Sequence, residues 1–250
     1  MSGAARRPVV LFDWGETLMW IPGMIHDPGK HLACVEQVFE AAVRPHLEAG
    51  GVALTYAAYQ PHYLAACEVQ IRRSKESLVE HTFADRFAMS FEMAGAGSLP
   101  PRAAFERMAG ALGEAVTGGA VLLEHAAEVI PALAAEYRLG VVSNYPQGPV
   151  VGATLERFGL RACFEAVVVS SETRWMKPHA ECYRPALEAL QAEPSRTLMV
   201  GDDLRNDVRG AKALGLHAAW LAPGKPAEPD VDIHLQSLAE LPAVCRRLFG

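Results

Sequence analysis

From residue 124 onward, short apolar stretches alternate with amphipathic ones, and this alternation limits most strongly how the chain can fold. The amphipathic stretches, such as EHAAEVIPALAAEY at 124–137, have the apolar spacing of a helix. The apolar stretches predict buried strands: VVLF (9–12), LGVVSN (139–144), FEAVVVS (164–170), TLMVGDD (197–203) and HAAWL (217–221). Strands joined by helices form a parallel sheet covered on both faces. The sequence therefore predicts an α/β fold with a doubly wound parallel sheet.

Between residues 20 and 117 the pattern changes, because no convincing strand separates the helical stretches. These stretches cover about four predicted helices, at 30–49, 55–73, 83–94 and 102–115. Pro45 is predicted to bend or end the first helix and Pro61 to interrupt the second, since proline lacks the amide that a helix interior needs. The sequence therefore predicts an all-helical insert at 20–117 within an α/β unit formed by residues 1–19 and 118–250.

Charge and cysteine content exclude several classes of function. The chain has 23 Lys and Arg against 29 Asp and Glu, so no broad basic surface is expected for nucleic acid. The five cysteines lack a CxxC pair, which favours reduced thiols over a zinc or redox centre. No stretch approaches the roughly 20 apolar residues that span a bilayer, and the first apolar run is too short for a signal peptide. We therefore expect a soluble, cytoplasmic protein without membrane partners.

Polar side chains follow the predicted strands where each strand ends. Asp13 follows VVLF, Ser143 and Asn144 end LGVVSN, and Lys177 precedes a proline in SSETRWMKPH. Each has an ordinary explanation alone, since Asp caps turns, Ser-Asn is common in turns, and a lysine before proline means little. Because the carboxyl ends of parallel strands share one edge of a sheet, together they indicate a site for a phosphoryl group.

Three further carboxylates, Asp202, Asp203 and Asp207, lie in TLMVGDDLRND, where a predicted strand ends and a helix begins. One interpretation is a solvated acidic loop with a helix N-cap. The other is a divalent cation, because uncompensated carboxylates this close in sequence repel one another. Magnesium prefers oxygen ligands in octahedral geometry, so the segment predicts a Mg²⁺ site.

Taken together, the four segments resemble the haloacid dehalogenase-like hydrolase superfamily. The motifs that carry the resemblance occur in the family's order: FDWGETL at 12–18, SN at 143–144, KP at 177–178 and GDDLRND at 201–207. The resemblance covers the whole α/β unit. It implies a Rossmann-like catalytic core at 1–19 and 118–250, with a helical cap domain at 20–117 inserted between the first and second motifs.

The resemblance implies a magnesium-dependent phosphatase with an aspartyl nucleophile. Asp13 would attack a phosphoryl group in line and form an acyl phosphate that water hydrolyses. The groups implied to hold the phosphoryl oxygens are Thr17, Ser143, Asn144 and Lys177. The implied metal ligands are Asp13, the carbonyl of Gly15 and Asp202, with Asp203 or Asp207 completing or orienting the shell. The implied substrate is a phosphate monoester of a small metabolite.

Gly15 departs from the family pattern, because the family's phosphatases usually carry an Asp two residues after the nucleophile. That Asp protonates the leaving group and later activates water, and its loss typically costs about 10²- to 10⁴-fold in rate. Either the leaving group is good enough to need no acid, or another group supplies the proton. The candidate replacements in the sequence are Glu16, His26, Asp27, His31 and His81.

Two other activities are consistent with Gly15. The family's dehalogenases and phosphonate-cleaving members also lack the second Asp, so carbon–halogen or carbon–phosphorus cleavage is one alternative. The acidic GDDLRND segment argues against a metal-free dehalogenase, and neither Lys30 nor Lys75 stands out as a Schiff-base former. The other alternative is a non-catalytic phosphometabolite-binding protein, against which the intact Asp13 and Lys177 argue.

The helical insert is predicted to lie over the mouth of the sheet and to exclude water from Asp13. A small phosphorylated metabolite is therefore the expected partner, and the expected assembly is a monomer or a homodimer. A basic run in the insert either recognises the anionic substrate or is a solvated helix face: Arg72, Arg73 and Lys75. Three tryptophans near the motifs either line the pocket or pack in the core: Trp14, Trp20 and Trp175.

Overall fold

A six-stranded parallel sheet forms the centre of the protein. The computed structural model describes residues 7–21 and 28–250. Its strands are β1 (Val9–Phe12), β2 (Met19–Trp20), β3 (Val121–Leu122), β4 (Arg138–Ser143), β5 (Ala166–Val169), β6 (Thr197–Gly201), β7 (His217–Leu221) and β8 (Ile233–Leu235). The sheet order is β5-β4-β1-β6-β7-β8, and β2 pairs with β3 in a separate antiparallel ribbon. The predicted doubly wound α/β fold is confirmed.

The central strand β1 places both faces of the sheet against hydrophobic cores. Its neighbours are β4 and β6, with Val9 opposite Arg138 and Thr197. Val10 and Phe12 pack into one core, while Val9 and Leu11 pack into the other. Because side chains alternate across a strand, burial on both faces explains the unbroken apolar run in this segment.

Between β2 and β3 the described chain is helical. The bounds of its elements are α1 (Pro28–Val38), a π-helical turn (Phe39–Val43), α2 (Arg44–Ala49), α3 (Tyr56–Ser77), α4 (Phe83–Met93) and α5 (Arg102–Gly119). Pro45 lies in the first turn of α2, directly after the π-helical turn, so the helical path continues past it.

The predicted interruption at Pro61 is wrong, because α3 runs through this residue without a break. One side of this helix is buried in the core, where the fully buried residues include Tyr59, Tyr63 and Ala66. Burial of this face provides most of the stability of such a helix, and it outweighs the single backbone hydrogen bond that a proline removes.

Six helices accompany the strands of the core: α6 (Ala126–Glu136), α7 (Gly148–Arg157), α8 (Ser170–Thr173), α9 (Ala180–Ala189), α10 (Gly210–Ala213) and α11 (Leu241–Phe249). The edge strand β8 was not predicted, because its three residues are too few to show a strand period. Among the described residues, no helix combines the length and apolar character needed to cross a membrane.

Candidate active site

Three adjacent strands of the sheet end in the residues that form the site. The amide of Asp13 donates to the carbonyl of Val200 at 2.9 Å, which continues the pairing of β1 with β6 by one residue. Asn144 follows β4 and Asp202 follows β6. In the sheet, β4 and β5 lie on one side of β1, and the next strand in sequence, β6, lies on its other side. The carboxyl ends of β1, β4 and β6 therefore meet at the topological switch point, where ligands bind in open α/β sheets.

Lys177 is the cation at the centre of the site. Its Nζ lies 2.6 Å from Oδ1 of Asp13 and 2.7 Å from Oδ1 of Asp207, and its side chain is only 2% exposed. Burial alone lowers the pKa of Lys177, but the negative charges of Asp13 and Asp207 outweigh burial and leave the pKa raised. The ammonium therefore stays charged and offsets part of the carboxylate charge.

The side chain of Asn144 clamps the backbone of Lys177. Its Oδ1 accepts from the amide of Lys177 at 2.7 Å, and its Nδ2 donates to the carbonyl of Lys177 at 3.0 Å. Sequence analysis assigned Asn144 to a phosphoryl oxygen, whereas both ends of its amide contact the lysine loop. In this structure Asn144 therefore sets the position of Lys177.

Three carboxylates converge beside this lysine. One oxygen from each of Asp13, Asp202 and Asp207 lies within 4.8 Å of the others. Burial first, and then the neighbouring carboxylates, raise the pKa of Asp202; burial also raises the pKa of Asp207, against the opposing charge of Lys177. Three carboxylates against one ammonium leave two negative charges, which fits an oxygen-bound divalent cation such as Mg²⁺.

Asp203 has a different task from Asp207. Its Oδ1 accepts from the amides of Arg205 and Asn206, both at 2.8 Å, and so caps the π-helical turn Leu204–Arg209. Its own amide donates to Oδ2 of Asp207 at 3.1 Å. The sequence left open whether Asp203 or Asp207 completes the acidic cluster. In the structure Asp207 belongs to the cluster, and the amide of Asp203 orients the carboxylate of Asp207.

Gly201 leaves the space that Asp207 occupies. A Cβ atom built on Gly201 would lie 2.2 Å from Cγ of Asp207, far inside van der Waals contact. The glycine at the end of β6 is therefore a packing requirement of the acidic cluster.

A cavity of about 220 Å³ opens onto these groups. The predicted residues that line it are Asp13, Gly15, Ser143, Asn144, Lys177, Asp202, Asp203 and Asp207. Four further lining residues were not predicted from the sequence: Ile21, Tyr145, Met176 and Asn206. Tyr145, Met176 and Asn206 each adjoin or lie within a motif, so their position in sequence was the available signal.

Thr17 is the predicted site residue that the cavity does not include. Leu18 and Met19 donate from their amides to the carbonyl of Trp14, which folds the loop back on itself. The side chain of Thr17 is completely buried, and its hydroxyl has no hydrogen-bond partner within residues 7–21 and 28–250. Thr17 therefore lies outside the cavity lining, and its contact with a phosphoryl oxygen stays a prediction.

The turn after Asp13 contains Gly15 and Glu16, and both line the cavity. A Cβ atom on Gly15 would meet no atom within 4 Å, so the missing Asp leaves open space. Glu16 has a φ angle of 58°, in the left-handed region. Among the described candidates for the missing acid, Glu16 is the one that lines the cavity.

The other candidates for the acid lie elsewhere. The ring of His31 contacts the hydroxyl of Tyr63 at 3.2 Å inside the helical insert, where burial lowers its pKa to about 4. His81 lines a second, open cavity of about 450 Å³ together with Arg73. His26 and Asp27 lie outside the described residues, as does the side chain of Lys30.

The sequence left open whether three tryptophans line the pocket or pack in the core, and the structure differs from one tryptophan to the next. Trp14 lines the cavity, and its Nε1 donates to the hydroxyl of Thr154 at 2.9 Å in the core. Trp175 stacks on His179 with ring centroids 4.1 Å apart and lies outside the cavity lining, as does Trp20. Arg72 and Lys75 are exposed on α3, as expected of a solvated helix face.

Comparisons with known proteins identify the family of this chain. A family model described as haloacid dehalogenase-like hydrolase matches residues 8–215. A glyceraldehyde 3-phosphate phosphatase of Pyrococcus furiosus is 38% identical over 76 residues, which are 30% of this chain and 32% of that protein. A phosphoglycolate phosphatase of Rhodospirillum rubrum is 38% identical over 112 residues, which are 44% of this chain and 46% of that protein. The matches thus span less than half of these relatives.

A solved structure extends the comparison to nearly the whole chain. The 2-haloacid dehalogenase of Pseudomonas syringae superposes with a TM-score of 0.66 and 22% identity, over 96% of this chain and 99% of that one. At this identity the likeness concerns the fold alone.

Proposed function

Because the chain belongs to the haloacid dehalogenase-like hydrolases, we propose that it hydrolyses a phosphate monoester of a small metabolite with the help of Mg²⁺. The observation that supports this most directly is the pairing of Asp13 with the buried Lys177 beside two further carboxylates. Relatives named for phosphatase activity on small phosphorylated metabolites support the same substrate class.

In this mechanism Asp13 is the nucleophile. A carboxylate oxygen of Asp13 attacks phosphorus as the bond to the leaving oxygen breaks, and an acyl phosphate forms on Asp13. Lys177 and the hydroxyl of Ser143 hold oxygens of the transferred group, and Lys177 balances its negative charge. Water then attacks phosphorus, which releases inorganic phosphate and restores the carboxylate.

The carboxylates of Asp13, Asp202 and Asp207 and the carbonyl of Gly15 would hold Mg²⁺, which would neutralise charge between Asp13 and the phosphoryl group. Asp203 would support this set of ligands indirectly, because its amide donates to the carboxylate of Asp207 and fixes its position. Asp207 is buried and Asp13 and Asp202 are half-buried, and the fold holds one oxygen of each within 4.8 Å of the others, as preorganised ligands require.

The helical insert, residues 20–117, is proposed as a cap domain over a core formed by residues 1–19 and 118–250. Ile21, at the start of this segment, lines the cavity. Phe83, at the start of α4, donates from its amide to the carbonyl of Pro146 at 3.3 Å, next to the loop that carries Asn144. Closure of this cap would exclude water and favour small substrates over macromolecules.

An assay with an activated aryl phosphate and MgCl₂ tests the proposal, because a good leaving group makes little demand on the missing acid. The wild-type protein should release phosphate, and Asp13→Asn should reduce the rate by at least about 10⁴-fold, since the nucleophile is removed. Asp230→Asn is the matched control, because Asp230 pairs with Arg209 on the exposed surface.

Chelation of Mg²⁺ should also abolish the release of phosphate. Halide release from a 2-haloalkanoate without metal would instead identify carbon–halogen hydrolysis. Release of phosphate from a phosphonate would identify carbon–phosphorus cleavage, and binding of phosphorylated compounds without turnover would identify a binding protein.

A further inference from the structure

The loop between α3 and α4 contacts both loops that position the catalytic lysine. On this basis we infer that Glu80 is a positioning residue, which couples the docking of the helical insert to the alignment of Lys177 with Asp13. The inference rests on the proposed function for its effect on catalysis. Its structural basis is independent of the substrate.

The first contact runs through the backbone. Val79 and Trp175 form an antiparallel bridge between the insert and the chain that leads into Lys177. The amide of Glu80 donates to the carbonyl of Arg174, and the amide of Met176 donates to the carbonyl of Leu78, both at 2.8 Å. Met176 directly precedes Lys177, so the insert holds the backbone one residue away from the lysine.

The second contact runs through the side chain of Glu80. The hydroxyl of Ser170, directly after β5, donates to Oε2 of Glu80 at 2.6 Å. The same hydroxyl oxygen accepts from the amide of Tyr145 at 2.9 Å. Tyr145 directly follows Asn144, so this contact reaches the residue that clamps Lys177.

Glu80 is fixed in place on its own side as well. Its Oε1 accepts from the amide of His81 at 3.1 Å, while Oε2 faces Ser170. Burial raises the pKa of Glu80, and the hydrogen bonds from Ser170 and His81 oppose that rise. A half-buried carboxylate that accepts hydrogen bonds at both oxygens favours a single arrangement of the loop.

These contacts bracket Lys177. Asn144 binds its amide and its carbonyl, and Glu80 reaches the loop of Asn144 through Ser170 and the loop of Met176 through the backbone pairing. A displacement of about 1 Å in a catalytic group can cost about 100-fold in rate. Loss of the Glu80 side chain should therefore shift Lys177 relative to Asp13 and lower kcat more than it raises KM.

The test compares Glu80→Ala, Ser170→Ala and the double variant in the aryl phosphate assay. Each single variant should reduce kcat by about 10- to 100-fold with a smaller change in KM. If Glu80 acts through Ser170, the double variant should be no slower than the slower single variant, because the shared contact is already lost. Glu80→Gln retains a side-chain acceptor and should restore part of the rate.

Glu76→Ala is the matched control, because Glu76 is an exposed carboxylate on the last turn of α3. It should leave kcat unchanged. Equal rates for Glu80→Ala and Glu76→Ala, or strictly additive losses in the double variant, would overturn the inference. Thermal unfolding of each variant separates lost alignment from lost folding.

Hydrogen exchange separates this inference from the proposed function. The amide of Lys177 should exchange faster in Glu80→Ala and Ser170→Ala than in the wild type or Glu76→Ala, since its acceptor Asn144 is no longer held. If the wild type fails to release phosphate while exchange changes in this way, the coupling stands and the proposed function fails. Unchanged exchange at the amides of residues 174–177 in both variants would overturn the coupling.

Discussion

In the turn after Asp13, the proposed nucleophile, Gly15 should limit the general acid catalysis that the site supplies. Gly15 occupies the position at which the resemblance implies an acid, and open space surrounds its missing Cβ atom. Glu16 lines the cavity beside it from a left-handed backbone conformation. Such a conformation costs a residue with a Cβ atom about 1 kcal/mol or more, and it often marks functional loops.

Gly15→Asp should accelerate the hydrolysis of phosphate esters with poor leaving groups by about 10²-fold or more, because the new carboxyl group can donate a proton. Esters with good leaving groups should gain little. Gly15→Ala is the control, since it adds a Cβ atom without an acid. Equal effects of the two substitutions on kcat would contradict general acid catalysis from this position.

The motif spacing predicted most cavity residues, because residues that end neighbouring parallel strands must meet at one edge. Sequence could not assign their individual contacts. Asp203 caps the turn whereas Asp207 pairs with Lys177, and the task of Asn144 depends on a loop 33 residues away. The turn of the chain at Trp14 directs Thr17 into the core, and a linear motif does not encode that direction.

At the scale of the elements, α3 and α4 are held together by a buried arginine. Nε of Arg86 donates to Oε1 of Gln70 at 2.5 Å, and Nη1 donates to the hydroxyl of Tyr63 at 3.3 Å. The guanidinium also lies 4.8 Å from the ring centroid of Phe83. Within the described chain, Arg86 forms no ion pair with a carboxylate, so neutral groups and aromatic faces stabilise its charge.

Arg86→Ala should lower the free energy of unfolding by about 2–4 kcal/mol, because it leaves Gln70 and Tyr63 with lost partners and opens space between two helices. Urea unfolding followed by circular dichroism measures this change. Arg73→Ala, an exposed arginine on the same helix as Gln70, should change stability by less than about 0.5 kcal/mol. Equal effects would show that burial of Arg86 contributes nothing.

The elements themselves were largely predictable because helix and strand periods differ. The strands of the core and the helices of the insert follow the apolar spacing, whereas β8 is too short to show a period. Pro61 misled the prediction because local propensity is weaker than the burial of Tyr59 and Tyr63 on α3. The contact of residues 78–80 with residues 174–176 joins distant parts of the chain and has no local sequence signal.

For the whole molecule, the acidic cluster should make stability depend on pH and on Mg²⁺. Burial raises the pKa of Asp202 and of Asp207 in the folded state above the unfolded value of about 3.9. Between these pKa values the folded state binds more protons than the unfolded state, so stability falls as pH rises. The metal-free protein should therefore unfold at a lower temperature near about pH 8 than near about pH 5.5.

Mg²⁺ should reverse this trend, because it replaces the protons and binds better where the carboxylates are ionised. At about 100 times its Kd, the ion should stabilise the folded state by about 2.7 kcal/mol, and the increase in Tm should be larger at the higher pH. Scanning calorimetry with Mg²⁺ or with a chelator measures both effects. Asp202→Asn should weaken the pH and Mg²⁺ dependence, whereas a Tm independent of Mg²⁺ at both pH values would contradict a metal site here.

The proposed function depends above all on the transfer of the phosphoryl group to Asp13 during turnover. Rapid acid quenching of the wild-type protein during hydrolysis of an aryl phosphate, followed by mass spectrometry of the peptides, measures this directly. We expect the peptide that contains Asp13 to be heavier by one phosphoryl group. The modification should lie on Asp13 and should be absent from Asp13→Asn. Turnover of substrate without any phosphorylated Asp13, under conditions that trap an acyl phosphate, would contradict the proposed transfer.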